Sequence, residues 1–290
     1  YVYDNAGNIT RITIDESVAY EYTYDPHGRL VTEKDYVNCK FYRYNYGDSA
    51  NVHSKNIWDL DTNGNKINST KQTIYLTYDD GDNAQWPDQL KSYNGQTIIY
   101  DGIGNPLSYI NGMSFDWSRG RQLDQVTFSD NTTASYTYNQ NGLRTHKETK
   151  TESVEYTWDD SSLIREVVTL KDTNKTYDVW YLYDENDSAV GFMYYHLVDV
   201  GSNKYLSLVK YYYEKDLQGN IIGILDAHGY EVVAYSYDAW GNITDTTYTS
   251  QLPYQLNHLT YRGYYRDEET GFYYLQSRYY DAEFGRFINA

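Results

Sequence analysis

A short pattern, Asp-x-x-Gly, recurs along the chain and constrains its fold more than any other feature. An aromatic residue usually precedes it, and an apolar residue follows two or three positions after the glycine. A type I turn favours Asp or Asn at its first position, and a glycine with positive φ at the fourth closes a bulged hairpin loop. Each copy therefore predicts a strand, a tight turn and a second strand. The predicted turn pairs are Asp4 and Gly7, Asp25 and Gly28, Asp61 and Gly64, Asp101 and Gly104, Asn139 and Gly142, Asp216 and Gly219, Asp226 and Gly229, and Asp238 and Gly241.

Less regular turn signals lie between these copies. "YDENDSAV" begins at Tyr183 and has Asp187 where the other copies have glycine. Because Asp enters the left-handed region more readily than most residues, we expect this turn to be retained. Asn-Gly pairs at Asn94 and Asn111 are strong signals for further hairpins.

The stretches between the turns predict an all-β fold of stacked antiparallel hairpins. "AYEYTYD", "ASYTYN" and "VVAYSYD" alternate aromatic or apolar residues with small polar ones, which is the period of a half-buried strand. The spacing of the repeats is irregular, which disfavours a propeller with equal blades. The four prolines and the absence of a Ser/Gly-rich or highly charged stretch indicate one continuous architecture without a linker.

Composition excludes several classes of function. The net charge of -17 opposes nucleic-acid binding, which requires a basic surface. No stretch has the length of apolar residues that a membrane helix requires. The first residues contain neither an initiator Met nor a signal peptide, so we expect an excised piece of a longer protein. Cys39 is the single cysteine, and we expect it to be a small buried side chain.

The sequence offers no clear catalytic, metal or cofactor motif. The six histidines are scattered, without the spacing of a zinc site. "DLDTNGN" from Asp59 and "GDNAQWPDQ" from Gly81 resemble calcium loops, but Thr70 stands where the former would need its bidentate Glu, so a turn is the better interpretation. We therefore expect no metal, no cofactor and no enzymatic activity in this chain.

At the level of the whole repeat, the sequence resembles a known family. Copies such as "YDPHGRL" and "YDAWGNIT" are similar to the YD repeats of the Rhs family, and "YRGYYRDEETGFYYLQSRYYDAEFGRFINA" is similar to its repeat-associated core motif. The implied division is a YD-repeat β-sheet over residues 1–260 and a plug-like core motif over residues 261–290. The core-motif residues that carry the resemblance are Arg262, Gly263, Arg266, Asp267, Gly271, Tyr274, Arg278, Tyr279, Asp281, Gly285, Arg286 and Phe287.

The resemblance implies a fold and a function. Rhs and teneurin-type proteins form a spiralling sheet that closes into a hollow shell, of which this chain would be a part. In bacterial toxins, including the C component of insecticidal toxin complexes, the shell encloses a C-terminal toxin polypeptide in cis, and the core motif plugs one end. An autoproteolytic site often follows the core motif, beyond Ala290. The implied partners are the enclosed toxin polypeptide and a shell component like the B component, and the implied location is secreted or at the cell surface.

For the core motif we hypothesise a pattern of ion pairs. Arg262, Arg266, Arg278 and Arg286 are expected to pair with nearby acids such as Asp267, Glu269 and Asp281, because guanidinium groups suit partly buried carboxylates. Phe272, Tyr274, Tyr279 and Phe287 are expected to anchor the plug.

A second function remains open from the residues themselves. Exposed Tyr and Trp rings could stack on sugars, so a surface module that binds carbohydrate, such as a cell-surface glycan, is the alternative. The discriminating feature is the core motif, which a binding array does not need. Open sheet edges also predict some self-association.

Overall fold

The computed structural model describes residues 1–47, 50–79, 86–200 and 203–289. This part of the chain is nearly all β with antiparallel sheets, as the repeat predicts, and none of its sheets is closed. The chain divides into two compact units, Tyr1–Ile99 with Ser108–Ile110, and Tyr100–Leu107 with Asn111–Ala290. In each sheet every strand pairs with its neighbours in sequence, as expected for successive hairpins.

The first unit contains a nine-stranded sheet. Its strands are β1 (Val2–Tyr3), β2 (Ile9–Ile14), β3 (Ser17–Tyr24), β4 (Leu30–Asp35), β5 (Lys40–Tyr46), β6 (Val52–Asp59), β7 (Gln72–Tyr78), β8 (Leu90–Tyr93) and β9 (Gln96–Thr97), and a 3-10 helix spans Asn68–Thr70.

A fourteen-stranded sheet follows. Its strands are β10 (Ile99–Tyr100), β11 (Pro106–Ser108), β12 (Ser114–Ser118), β13 (Gln122–Thr127), β14 (Thr133–Tyr138), β15 (Arg144–Glu148), β16 (Glu152–Asp159), β17 (Ser162–Leu170), β18 (Lys175–Tyr183), β19 (Ala189–Val200), β20 (Asn203–Lys215), β21 (Ile221–Leu225), β22 (Glu231–Tyr237) and β23 (Ile243–Tyr248), with a 3-10 helix at Ile110–Gly112.

The chain then leaves this sheet through a short helix, α1 (Gln251–Leu256), and forms a small four-stranded sheet. Its elements are a 3-10 helix at Tyr261–Gly263 and strands β24 (Tyr265–Arg266), β25 (Tyr273–Tyr274), β26 (Tyr279–Asp281) and β27 (Arg286–Phe287). No helix within the described ranges has the length and apolar character that crossing a membrane requires.

The repeat turns share one hydrogen-bonding pattern. At the first copy, Asp4 Oδ1 accepts from the N–H groups of Ala6 and Asn8, each at 2.9 Å, and the Gly7 N–H donates to the Asp4 carbonyl at 3.1 Å. Gly7 has φ 86°. The same side-chain acceptor and the same positive φ at the fourth position occur at the turns that begin at Asp25, Asp61, Asp101, Asn139, Asp216, Asp226 and Asp238.

The degenerate copy also forms this turn. Asp187 adopts φ 58°, and its N–H donates to the Asp184 carbonyl at 3.2 Å. Asp184 Oδ1 accepts from two backbone N–H groups, as in the regular copies. Of the Asn-Gly pairs, Asn94 and Gly95 have positive φ and connect β8 to β9.

A β-bulge lies just after the turn in many of these hairpins. Tyr24 pairs with Leu30 while Thr23 pairs with Thr32, so Val31 has no opposite residue. A bulge adds one residue to one strand and so shifts the alternation of its side chains. The same register shift lies immediately before the aromatic residues Tyr3, Tyr46, Tyr78, Trp117, Tyr138, Trp158, Tyr183 and Tyr237.

The aromatic residue before the turn also bonds to the preceding hairpin. Tyr24 Oη donates to the carbonyl of Ile9 at 2.9 Å, and Ile9 is the residue paired with Tyr3 at the bulge before it. A bulge disrupts the ladder, and buried backbone groups need partners. A Tyr hydroxyl or Trp N–H meets that need while its ring packs, which explains part of the excess of 38 tyrosines over 7 phenylalanines. Equivalent donors are Tyr46, Tyr78, Trp117, Tyr138, Trp158, Tyr183 and Tyr237.

Cys39 departs from the prediction of a buried thiol. It is exposed and has φ 53° in the turn between β4 and β5. The prediction was wrong because this position reverses the chain, and a turn residue at positive φ directs its side chain away from the sheet.

Candidate functional site: a buried ionic network under the C-terminal segment

Residues 257–289, termed the C-terminal segment, lie against one face of the fourteen-stranded sheet. Ring contacts join the two along the length of the segment: Tyr156 with Tyr265 at a centroid distance of 5.6 Å, Phe115 with Phe272 at 6.1 Å and Trp117 with Tyr279 at 6.0 Å. Tyr265, Phe272 and Tyr279 are buried. The segment therefore covers aromatic rows that the repeat strands present.

A bulge directs two cations of β15 toward the C-terminal segment. The register shift between Thr137 and Tyr138 leaves Thr145 without an opposite residue. Strict alternation would place Arg144 and Lys147 on opposite faces, because they are three residues apart. The extra residue brings both to the same face, where each is 0% exposed.

Arg144 forms a bidentate ion pair with Asp267 of the C-terminal segment. Nη1 donates to Oδ1 at 2.6 Å and Nη2 to Oδ2 at 2.8 Å. The guanidinium lies 4.2 Å from the centroid of the Tyr136 ring and 4.1 Å from that of Tyr274. Burial alone would lower the pKa of Arg144, but Asp267 and neighbouring tyrosines outweigh burial and raise it. Such stacked, forked pairs fix geometry as well as charge.

Lys147 holds the next two carboxylates. Its Nζ lies 2.7 Å from Glu152 Oε1 and 3.3 Å from Glu269 Oε2. Tyr136 Oη donates to the other oxygen of Glu269 at 2.7 Å. Burial raises the pKa of Glu269 despite the attraction of Lys147. For Glu152, the effects of Lys147 and His258 outweigh burial and lower the pKa.

His258 is the third cation of the network. Its Nδ1 lies 2.9 Å from Glu166 Oε2, and its Nε2 lies 3.7 Å from Glu152 Oε1. Burial would lower the pKa of His258, but these two carboxylates raise it to about 10. Tyr181 Oη also donates to Glu166, at 2.7 Å. The two flanking carboxylates therefore favour the protonated form of His258.

The network is suited to attachment. Three cations, Arg144, Lys147 and His258, face four carboxylates, two from the sheet and two from the C-terminal segment. Each carboxylate has a cation within ion-pairing distance, so none is left as an uncompensated base. Removing one partner would leave a buried charge without its counterion, which is costly, so the network fixes where the segment lies on the sheet.

A second set of contacts joins the C-terminal segment to two repeat turns. Tyr273 Oη donates to the Gly241 carbonyl at 2.7 Å, and Tyr280 Oη donates to the Trp240 carbonyl at 2.8 Å. A Cβ added at Gly241 would lie 2.5 Å from the Tyr261 ring, so glycine is needed there for close approach as well as for its φ of 97°. The backbone N–H of Arg262 donates to the turn residue Asn220 at 3.1 Å, and Asn242 Nδ2 donates to the Ala282 carbonyl at 2.9 Å.

The arginine pairing expected within the core motif is wrong for two of its acids. Asp267 and Glu269 are bound by Arg144 and Lys147 of the sheet. The hypothesis considered partners nearby in sequence, whereas the burial of the segment brings cations from more than a hundred residues away.

The core-motif arginines occupy other surroundings. Arg266 forms an ion pair with Glu268, and Arg278 lies 3.8 Å from the centroid of the Phe287 ring. Arg262 lies 5.3 Å from the centroid of its neighbour Tyr261. The remaining predicted positions are placed by the backbone. Asp281 is opposite Arg286 in the register of β26 with β27, and Tyr274 is opposite Tyr279 in that of β25 with β26. Gly263, Gly271 and Gly285 have positive φ.

The possible calcium loops carry no metal-binding arrangement where they are described. Asp59 pairs with Lys40 at 2.6 Å, and the Asp61 carboxylate accepts turn N–H groups. The segment that begins at Gly81 lies outside the described residues up to position 85. Among the described residues, no three His, Cys, Asp or Glu side chains are grouped as they would be to hold a metal ion.

Sequence reasoning missed Arg144, Lys147, Glu152, Glu166 and His258. One signal was available: two residues after the turn glycine, several copies have an aliphatic residue, such as Ile9, Leu30, Ile221 and Ile243, and "NGLR" has Arg144 there. A cation at a position that otherwise faces the core indicates a buried partner.

Comparison with protein families and curated proteins gives consistent matches. A family model described as RHS Repeat matches residues 3–36 and 216–251. The tRNA nuclease WapA of Bacillus subtilis (strain 168) is 32% identical over 203 residues, which make up 69% of this chain and 8% of that protein. Double-stranded DNA deaminase toxin A of Burkholderia cenocepacia (strain H111) is 23% identical over 315 residues, which cover 100% of this chain and 20% of that protein. The chain thus matches only a small part of the length of either relative.

Two solved structures share the fold. The crystal structure of TcdB2-TccC3 without hypervariable C-terminal region matches 100% of this chain and 15% of that chain, with a TM-score of 0.64 at 17% identity. The crystal structure of TcdB2-TccC3-TEV matches 100% of this chain and 18% of that chain, with a TM-score of 0.51 at 18% identity. At these identities the similarity concerns the fold alone.

Proposed function

Because the chain is an Rhs/YD-repeat protein, we propose that it is a structural segment of a toxin-associated shell, which encloses and delivers a toxin polypeptide encoded further along the same protein. The observation that carries this proposal is the burial of the C-terminal segment against the repeat sheet through the ion pairs of Arg144 with Asp267, Lys147 with Glu269 and His258 with Glu166. A shell that retains a polypeptide in cis needs a fixed attachment between its wall and the chain that continues into the cargo. The network supplies such an attachment.

The names of the relatives support the toxin context. One is a tRNA nuclease and another a double-stranded DNA deaminase toxin, and this chain matches only 8% and 20% of their respective lengths. In this proposal the repeat segment serves as the wall, and nuclease or deaminase chemistry belongs to another part of such proteins. This chain contributes no catalytic group, acts outside the cell that makes it, and meets two partners: the enclosed polypeptide and a further shell component.

The experiment that tests the proposal is limited proteolysis of the complete natural protein that contains these residues, followed by intact-mass spectrometry. We expect a polypeptide C-terminal to the C-terminal segment that copurifies with the repeats, either cut or uncut, and resists protease until the repeats unfold. A polypeptide that is digested as fast within the protein as when isolated would overturn enclosure.

Two matched variants sharpen this test. Arg144→Met breaks the buried pair that attaches the C-terminal segment, and we expect it to make the downstream polypeptide protease-sensitive. Arg11→Met removes an exposed cross-strand pair with Glu21 in the nine-stranded sheet and should leave protection unchanged. If the downstream polypeptide resists protease equally in both variants, the ionic network is not needed to retain it. If no downstream polypeptide is retained at all, a screen for glycan binding would test the carbohydrate-binding alternative.

A further inference from the structure

One hairpin extends beyond the rest of the fourteen-stranded sheet. β19 and β20 have 12 and 13 residues, whereas the next longest strands have 9. Their mutual ladder continues to Val200 and Asn203. The ladder of β19 with β18 ends at Tyr195, and the ladder of β20 with β21 ends at Tyr212. Within the described residues, the outer part of this hairpin is thus a two-stranded ribbon.

The ribbon exposes one long backbone edge. From Asn203 to Tyr211, β20 pairs with β19 on one side, and its other side has no strand partner among the described residues. Unpaired N–H and C=O groups in a row are a template for another strand, and two-stranded ribbons are marginal by themselves. This edge has no proline and no bulge to block pairing.

The side chains of the ribbon are unusually apolar for an exposed surface. Leu197 is 62% exposed and its cross-strand neighbour Leu206 is 67% exposed, with Leu208 at 44%. They continue into an open apolar pocket that Trp180 and Tyr195 line on the same face. Several exposed cross-strand pairs elsewhere are hydroxyl pairs, such as Thr23 with Thr32, Thr77 with Ser92 and Thr169 with Thr176. Contiguous apolar surface of this kind marks an interaction site.

We propose that this edge of β20 is a homodimer interface, in which the ribbon pairs antiparallel with the ribbon of a second copy of the chain. Antiparallel pairing of one strand with itself is two-fold symmetric, so a single surface satisfies both copies. A register centred on Leu206 places Asn203–Val209 of each copy opposite each other and Leu206 beside its own counterpart. No like charges face each other in that register, because Lys204 lies opposite Leu208.

Local charge favours a second copy as the occupant. The whole chain carries a net charge of -17, which repels a second copy at most surfaces. From Asn203 to Tyr211 the strand contains no acidic residue and two lysines, Lys204 and Lys210. The edge is therefore a place where two acidic molecules can meet without bringing carboxylates together.

Sedimentation velocity of the 290-residue chain over about a hundredfold range of concentration around ~10 µM tests the proposal. We expect a reversible monomer–dimer equilibrium. Leu206→Glu places two carboxylates opposite each other in the dimer and should shift the chain to monomer, and Leu206→Lys should do the same with two ammonium groups. An equimolar mixture of the two variants should dimerise again, because the mixed pair brings opposite charges together.

Leu217→Glu is the matched control. Leu217 is 70% exposed in the turn after β20 and lies outside the ribbon, so its replacement should leave the dimer unchanged. Melting temperatures verify that all variants are folded. A wild-type chain that stays monomeric throughout, or a dimer that survives Leu206→Glu, or a mixture that fails to dimerise, would overturn the proposal.

Discussion

The two large sheets are built from the same repeat, yet they bury it differently. Arg11 and Glu21 form a cross-strand ion pair in the nine-stranded sheet with side chains 48% and 30% exposed. Arg144 and Asp267 form their pair in the second unit with side chains 0% and 1% exposed. Of the twelve largest fully buried side chains, Glu33 lies in the first unit and the other eleven lie in the second, which contains the C-terminal segment.

This difference shows that the repeat by itself forms a half-exposed sheet but does not bury one face of it completely. Turn carboxylates, bulges and tyrosine hydroxyls satisfy the backbone of a half-exposed sheet, and they do so in both units. A dry interior requires a second layer on the face of the sheet. In the second unit the C-terminal segment supplies that layer over strands that include β12, β16 and β22.

The largest expected effect is the loss of stability when the buried pair of Arg144 and Asp267 is broken, compared with the loss when the exposed pair of Arg11 and Glu21 is broken. Arg144→Met removes the bidentate partner of buried Asp267 and leaves it only Lys147, whose Nζ lies 3.8 Å from Oδ1, so it should lower the free energy of unfolding by about 3 kcal/mol. Arg11→Met removes a solvent-exposed pair and should cost about 1 kcal/mol or less. Urea denaturation of the two variants beside wild type measures both. Similar losses in the two variants would mean that burial does not distinguish the regions.

The double variant Arg144→Met with Asp267→Leu sharpens the same comparison. Replacing both members of a buried pair by apolar residues is often near neutral, since no charge is left without a partner. We expect it to recover most of the stability that Arg144→Met loses. If the double variant is as unstable as the single one, the hydrogen bonds of Arg144 to Tyr279, and its stacking, contribute more than its ion pair.

Removing a tyrosine hydroxyl at the bulge should have a smaller effect, again larger in the second unit. Tyr138 and Tyr24 each donate to a carbonyl at 2.9 Å, but the Tyr138 hydroxyl also lies 2.6 Å from that of Tyr279. Tyr138→Phe should cost about 1 to 3 kcal/mol because it leaves buried groups unpaired, and Tyr24→Phe about 1 kcal/mol, because water can replace a half-exposed partner. Equal costs in urea denaturation would contradict this.

The two regions should also differ in the sign of a pH effect. Burial raises the pKa of Glu269 above 4.5, so above that pH the folded chain holds a proton that the unfolded chain has lost, and stability falls as pH rises through this window. Hydrogen bonds from Asn8 lower the pKa of Asp4 below 3.8, so its contribution is present above that pH and is lost as pH falls. We therefore expect Glu269→Gln to become more favourable, relative to wild type, as pH rises, and Asp4→Asn to become less favourable.

Unfolding free energies of these variants measured from acid to neutral pH check both signs. Gln at position 269 keeps an acceptor for Tyr136, so the comparison isolates the titration. A Glu269→Gln cost that grows with pH would show that Lys147 outweighs burial, so that the pKa of Glu269 is lowered in the folded chain instead of raised.

The sequence predicts the local part of this structure well. The Asp-x-x-Gly turns and the all-β fold follow from interactions within five residues, such as Asp4 Oδ1 with the Asn8 N–H. The network was not predicted, because Arg144 faces inward only through the bulge at Thr145 and its partner Asp267 lies 123 residues away. His258 was not predicted either, because its partner Glu166 lies on β17, far from it in sequence.

The smallest expected effect concerns the turn that lacks its glycine. Asp187 holds φ 58° in the second unit, and Gly7 holds φ 86° in the first, with nothing within 4 Å of an added Cβ. Asp187→Gly relieves left-handed strain but adds freedom to the unfolded chain, so it should change stability by about 0.5 kcal/mol or less. Gly7→Asp places a side chain at positive φ, where no neighbouring atom would clash with it, so the backbone strain alone should cost about 1 kcal/mol of stability. Thermal denaturation of both variants measures whether Asp is tolerated at the fourth position of this turn because of its backbone preference alone. A loss above about 1 kcal/mol for Asp187→Gly would instead show that the Asp187 side chain makes contacts which the repeat does not otherwise need.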